Sequence, residues 1–206
     1  MKTHNRNFFN IKYGFTLAEV LITLVIIGVI AALTIPNIVY ETKKHEYTAR
    51  LKKFYSTLQQ VRQKAQADGK SWQDWAVTET KDSRGLDIIE NYMDTYLLPY
   101  ISYVKTKTSG TVKYVYLNDG SYFYCNKGDC IDFVFDVNGE KPPNQRGRDI
   151  FVFLYCISNP DNIISRVGWI YSRSSALTYC KDDASTCSTL LMIDGWEFKN
   201  DYPYRL

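Results

Sequence analysis

Histidine is nearly missing from this chain: there are two in 206 residues, His4 and His45, and none from residue 46 onward. That absence excludes a Ser-His-Asp or Cys-His nucleophile–base pair and any histidine-ligated zinc over the greater part of the sequence. No GxxxxGK[ST] phosphate loop occurs. Acidic residues are scattered, and nothing in their spacing selects the pair that glycoside hydrolysis needs. A dominant charge is lacking too, with 25 Lys+Arg against 22 Asp+Glu. Three of those bases, Lys2, Arg6 and Lys12, lie in the first 14 residues, so a chain starting at residue 15 is formally neutral and carries no nucleic-acid footprint. Cysteine is absent before residue 125, and all five cysteines lie from Cys125 onward. These absences predict a non-catalytic protein.

What is present is a predominantly apolar run of 21 residues, Phe15 to Ile35, broken by one carboxylate, Glu19. As a helix it is long enough to cross the roughly 30 Å hydrocarbon core of a bilayer. An ordinary secretory signal has a shorter apolar core and no acid, although Ile30-Ala31-Ala32 has the small residues of such a cut site. A plain anchor explains the length but not Gly14-Phe15 or Glu19. A charge at the centre of a span costs about 2.5–3.5 kcal/mol and less near an end, so Glu19 requires a partner.

Gly14, Phe15 and the following Thr16-Leu17-Ala18-Glu19-Val20 resemble the class III signal of type IV prepilins and of type II secretion pseudopilins. The resemblance implies that a prepilin peptidase cuts after Gly14 and methylates the new N-terminal Phe15. It implies assembly with homologous pilin subunits, through Glu19, Gly28 and Pro36, on an inner-membrane platform. The freed amine of one subunit would then meet Glu19 of its neighbour in a low-dielectric bundle. The basic leader, residues 1–14, is expected to stay in the cytoplasm. The chain is thus expected to be a single-pass protein of the inner membrane, its head periplasmic or extracellular.

Tyr40, Tyr47, Leu51, Phe54, Leu58, Val61 and Ala65 recur at three- and four-residue steps and mark an apolar stripe on one continuing helix. That helix is predicted over 15–68, transmembrane over about 15–35, with a kink or melted stretch at Pro36 and a stop at Asp68-Gly69. Lys43, Lys44, Arg50, Lys52, Lys53, Arg62 and Lys64 make its second half basic. They suit anionic headgroups, while most also read as a solvated face, with Glu46-Arg50 paired at i,i+4.

A globular head is predicted over 69–206. Ser71–Trp75 suggests a turn, and Gly85–Leu98 a second amphipathic helix ending at Pro99. Strand signals cover Thr111–Leu117, Ser121–Cys125, Cys130–Phe135, Ile150–Ile157 and Ile163–Tyr171, with Asn118-Asp119-Gly120 and Asn138-Gly139 as turns. The fold class is therefore α+β, a long N-terminal α-helix packed on a small antiparallel β-sheet head. That agrees with the pilin-like lollipop the resemblance implies.

An exported head resides in an oxidising compartment. The pairing read from the sequence is Cys125–Cys130 across a turn and Cys180–Cys187 across a polar loop, with Cys156 a buried thiol. The C-terminal stretch, with Trp196 and Asp201-Tyr202-Pro203, is similar to disulfide-closed minor-pilin endings. Leu190, Leu191, Ile193 and Trp196 are expected in the core and loop 181–186 at the surface. Asp136, Asn138, Glu140 and Asp149 offer oxygen ligands for calcium, which fixes a head loop in several pseudopilins. Turn chemistry and two prolines account for the same segment without a metal. The reading is a pseudopilin of a secretion filament, with a minor type IV pilin or a non-assembling membrane-tethered ectodomain as alternatives.

Overall fold

The computed structural model describes residues 14–71, 90, 92–110, 112–127, 130–156, 164–165 and 172–206. The chain divides into two compact units, one running to Glu41 and one spanning Thr42–Leu206. Helix α1, Leu17–Ala67, contributes to both.

In the first unit α1 exposes its apolar side chains, among them Leu21, Leu24, Ile27 and Leu33. It is the one helix among the described residues that is long and apolar enough to cross a membrane. Its threonines are satisfied within the helix, Thr23 Oγ1 donating to the Val20 carbonyl and Thr34 Oγ1 to that of Ile30, each at 2.9 Å. The helix is continuous through Gly28 and Pro36. The melted stretch expected at Pro36 is absent, because losing one N–H leaves the flanking ladder bonds in place.

In the second unit α1 buries Tyr47, Leu51, Phe54, Leu58, Val61 and Ala65, the predicted stripe without Tyr40. The helix stops as expected. Gly69, at φ +73°, donates to the Gln66 carbonyl at 3.0 Å, and Lys70 donates to that of Ala65 at 2.8 Å. This is a Schellman ending, which needs a left-handed residue after the last turn.

The stripe packs on a sheet ordered β1-β2-β3-β4-β5-β6, antiparallel throughout. Its strands are Lys105–Ser109, Val112–Tyr116, Tyr122–Lys127, Cys130–Asp136, Ile150–Cys156 and Ile164–Ser165. Four match predicted strands closely. Of the predicted Ile163–Tyr171, Ile164–Ser165 is a strand and the rest lies outside the described residues. β1 was not expected, since Lys-Thr-Lys-Thr-Ser has no apolar alternation and every residue is exposed.

One sheet face carries Phe123, Phe133, Phe135, Phe151 and Phe153, all buried. Phe54 of α1 stacks on Phe135 with centroids 4.0 Å apart, and lies 5.3 Å from Phe123 and 5.8 Å from Phe153. Burying each large apolar side chain contributes about 1.5–3 kcal/mol, so this layer dominates the head.

Before the sheet, a π-helical turn Met93–Leu97 and a 3-10 turn Leu98–Tyr100 occupy the end of the predicted second helix. Leu86 and Ile89, and the tryptophans Trp72 and Trp75, lie outside the described residues. After the sheet come α2, Arg173–Asp182, a 3-10 turn Ala184–Thr186, and α3, Cys187–Ile193. Leu190 and Leu191 are buried as expected, and Trp196 packs on Tyr55 at 5.2 Å and Phe153 at 6.0 Å. Ile193 is instead exposed, on the outer side of the last helical turn. Within the loop expected at the surface, Ser185 and Thr186 are buried, held by bonds to Asp183.

Gly139, at φ +74°, sits so close to the Gly120 carbonyl that a Cβ would collide with backbone. Two measurements test this packing by thermal unfolding of the full chain in detergent. Phe54→Ala is expected to lower head stability by about 3–5 kcal/mol. Gly139→Ala is expected to lower it by at least about 1 kcal/mol, through both the left-handed backbone and the contact.

Candidate functional site

The residues that carry the N-terminal signal lie at the exposed start of α1. Phe15 is 89% exposed, and Gly14 precedes it outside the helix. Thr16 caps the helix: Glu19 N–H donates to Thr16 Oγ1 at 3.2 Å. In return, Thr16 N–H and its hydroxyl both donate to Glu19 Oε2 at 2.8 Å. This is a reciprocal capping box, in which two orphan donors of the first turn are satisfied. The Thr-x-x-Glu spacing is a readable signal, and Thr16, named within the N-terminal signal, gains its capping role from the structure. Its consequence is chemical: the carboxylate at the edge of an apolar span has partners within its own chain. Gly28 and Pro36 lie farther along the same helix, and a Cβ at Gly28 would meet nothing.

The second cluster is the loop between β4 and β5. Asp149 is fully buried and accepts from Gln145 N–H at 2.6 Å, Asn144 N–H at 2.9 Å and Asn138 Nδ2 at 3.2 Å. Asp136, also buried, accepts from Asn138 N–H at 3.2 Å, and the Asn144 amide, suitably oriented, donates to it at 3.1 Å. α1 holds the loop from below, Arg50 Nη1 donating to the Val137 carbonyl at 2.6 Å while Arg50 also pairs with Glu46 at 2.6 Å. Tyr47 lies buried against the same loop, and burial pushes its hydroxyl up to about 12.

Three of the four predicted calcium ligands, Asp136, Asn138 and Asp149, therefore come together. Glu140 does not: it is exposed and accepts from Tyr116 Oη at 2.7 Å. Among the described residues no three His, Cys, Asp or Glu side chains converge to hold a metal. N–H donors occupy the oxygens of Asp149 and brace Asp136. Asn138 Oδ1 and the Tyr47 hydroxyl beside the loop are buried without a hydrogen-bond partner. A calcium ion takes six to eight oxygens, so this donor set fits an internally braced turn and not a calcium cage.

The disulfides correct the sequence reading in part. Cys180 and Cys187 are joined as expected, closing the α2–α3 connection. Cys130 is joined to Cys156, and Cys125 is the buried free thiol. The reason lies in the pleat. Cys125 is in register with Phe133 on the face toward α1, whereas Cys130 lies opposite Cys156 and belongs with Val134, Val152 and Leu154 on the other face. Alternation places Cys125 and Cys130 on opposite sides of the sheet. The C-terminal segment is locked by Arg173, which donates to Asp194 at 2.6 Å and to Asp201 at 2.6 Å. Lys199 adds a contact to Asp194 at 2.8 Å.

A pH dependence follows from the loop. Burial, then the neighbouring Asp149 charge, push Asp136 up to about 7. A carboxyl raised above its unfolded range gives stability that is present at low pH and lost as pH rises through the folded value. The melting temperature of the wild type should therefore fall between about pH 4 and 7 relative to Asp136→Asn, which lacks this titration. Parallel curves for the two proteins would contradict the assignment.

Two family models match the chain. A prokaryotic N-terminal methylation motif matches residues 10–35. A family of unknown function (DUF6613) matches residues 37–206. No curated protein and no solved structure matches it. The chain belongs to that family of unknown function, and its N-terminus is that of a type IV pilin-like prepilin with a class III signal.

Proposed function

We propose that this prepilin-like chain is a non-catalytic structural subunit of a secretion-type pseudopilus. The observation that carries the reading is the capping box of Thr16 and Glu19, placed directly after an exposed Gly14-Phe15 junction. In the precursor the carboxylate is satisfied locally, so the span can enter the bilayer. Cleavage after Gly14 by a prepilin peptidase frees the amine of Phe15. In an assembling bundle the Phe15 amine of one subunit then approaches Glu19 of the next. The attraction is strong because the surroundings are apolar, and a lone charge left there would be costly.

The leader's bases keep it cytoplasmic while the head crosses, and an inner-membrane platform adds subunits through the helix. The secretion role draws support from the modest head, which lacks repeats and long adhesive insertions. The basic second half of α1 is partly consumed by the head, with Arg50 on the Val137 carbonyl and Lys53 paired to Asp119 at 3.0 Å. Lys52 and Lys64 remain at the solvent surface.

Mass spectrometry of protein from its native host is expected to show N-methylated Phe15 as the first residue. A retained Met1–Gly14 segment would overturn the assembly reading. Glu19→Ala should still insert in the membrane but reach the sheared filament fraction at roughly a tenth of the wild-type level or less. Deleting the chain should block export of a secreted protein; normal export with lost surface motility would favour a minor type IV pilin instead.

A further inference from the structure

We propose that the outer half of the second sheet face, on β1–β3, is a binding site for an acidic polysaccharide. The inference concerns the head alone and is independent of how the helix assembles. The two faces of the sheet differ in chemistry. The face toward α1 is phenylalanine. On the opposite face, strand alternation sets Tyr114 and Tyr116 of β2 beside Tyr122 and Tyr124 of β3. The rings meet at 5.3–5.6 Å and are inclined by 50–75°. All four are only partly buried.

The edge strand completes the site. Lys105 is in register with Tyr116 and Lys107 with Tyr114, so both ammonium groups project on the tyrosine face. Lys105 Nζ lies 4.8 Å from the Tyr116 ring centroid. Lys107, Ser109, Tyr114, Tyr116, Tyr122 and Glu140 line one cleft. Glu140 accepts from the Tyr116 hydroxyl at 2.7 Å. That bond, helped by Lys107 and Lys105, holds its carboxyl below the usual range.

A solvent-facing tyrosine cluster can simply cover a sheet. Here it is joined to two cations and a fixed carboxylate, and the set matches one ligand chemistry. The C–H faces of a sugar ring pack on tyrosine. Its hydroxyls donate to Glu140 and exchange bonds with the phenols. Uronate carboxylates meet Lys105 and Lys107. Single-stranded nucleic acid fits less well. A DNA strand carries no free sugar hydroxyls along its length to donate to Glu140, whereas every sugar of a polyuronate does.

The test uses the full processed chain in detergent micelles, with affinity electrophoresis and calorimetry. The probes are polygalacturonate, neutral dextran and an oligo-thymidylate. Polygalacturonate is expected to bind and dextran to bind far more weakly. Tyr114→Ala should weaken polygalacturonate about tenfold. Lys107→Glu should abolish binding with an unchanged melting temperature, Lys107 being an exposed edge residue. Lys107→Arg should restore it, and Lys181→Glu on α2 should leave it unchanged. The proposal is overturned if polygalacturonate does not bind, if Lys107→Glu binds like wild type, or if oligo-thymidylate binds as tightly as polygalacturonate.

Discussion

The ring of Phe54, stacked on Phe135 and enclosed by Phe123 and Phe153, is the contact on which the head depends. A helix stripe with a 4-3-4-3-4 spacing presents one flat apolar seam, and a pleated sheet presents one flat apolar face. Phenylalanines on alternate positions of β3, β4 and β5 supply that face in register, Phe123 opposite Phe135 and Phe133 opposite Phe153. Once that layer closes, the polar residues of α1 acquire fixed neighbours. Arg50 reaches the Val137 carbonyl, Lys53 reaches Asp119, and Thr48 donates to the Trp196 carbonyl at 2.7 Å. The loop after β4 and the segment after α3 are thereby both anchored to the same helix.

Three carboxylates are answered by three separate devices. Glu19 is served by the backbone and hydroxyl of a residue one helical turn before it. Asp149 is served by main-chain amides of its own loop. Asp194, buried as well, is served by Arg173 and Lys199, which hold its carboxyl below the usual range against the opposing effect of burial. Asp136 is driven upward by its burial and by the neighbouring Asp149 charge, although the Asn138 and Gly139 amides and the Tyr122 hydroxyl oppose the shift.

Features with a strong local code were legible in the sequence. The stripe from Tyr47 to Ala65, the stop at Gly69 and the turn at Gly120 all follow from periodicity or from a demand for positive φ. Features set by partners were not. β1 has no apolar pattern because both its faces are exposed, and its strand character comes from pairing with β2. The helices α2 and α3 are short, and their burial depends on a disulfide and on Ser188, which donates to the Val152 carbonyl at 2.6 Å. The cap at Thr16 is likewise written in the sequence, as a Thr-x-x-Glu spacing directly before an apolar run. Three of the four oxygen residues in the loop after β4 do converge. Glu140 leaves them because Tyr116 and two lysines draw it to the sheet face.

Cys125 lies five positions before Cys130, whereas Cys156 lies 26 positions after it. In a disordered chain, short loops close more readily than long ones. The thiol nearest to Cys130 before folding is thus the wrong one. Only the pleat removes it, by turning Cys125 inward beneath the helix and setting Cys156 directly across. Sheet formation must come before oxidation, or a thiol–disulfide exchange catalyst must undo the early error. The maturation of this head is then governed by the timing of its redox chemistry as much as by its energetics.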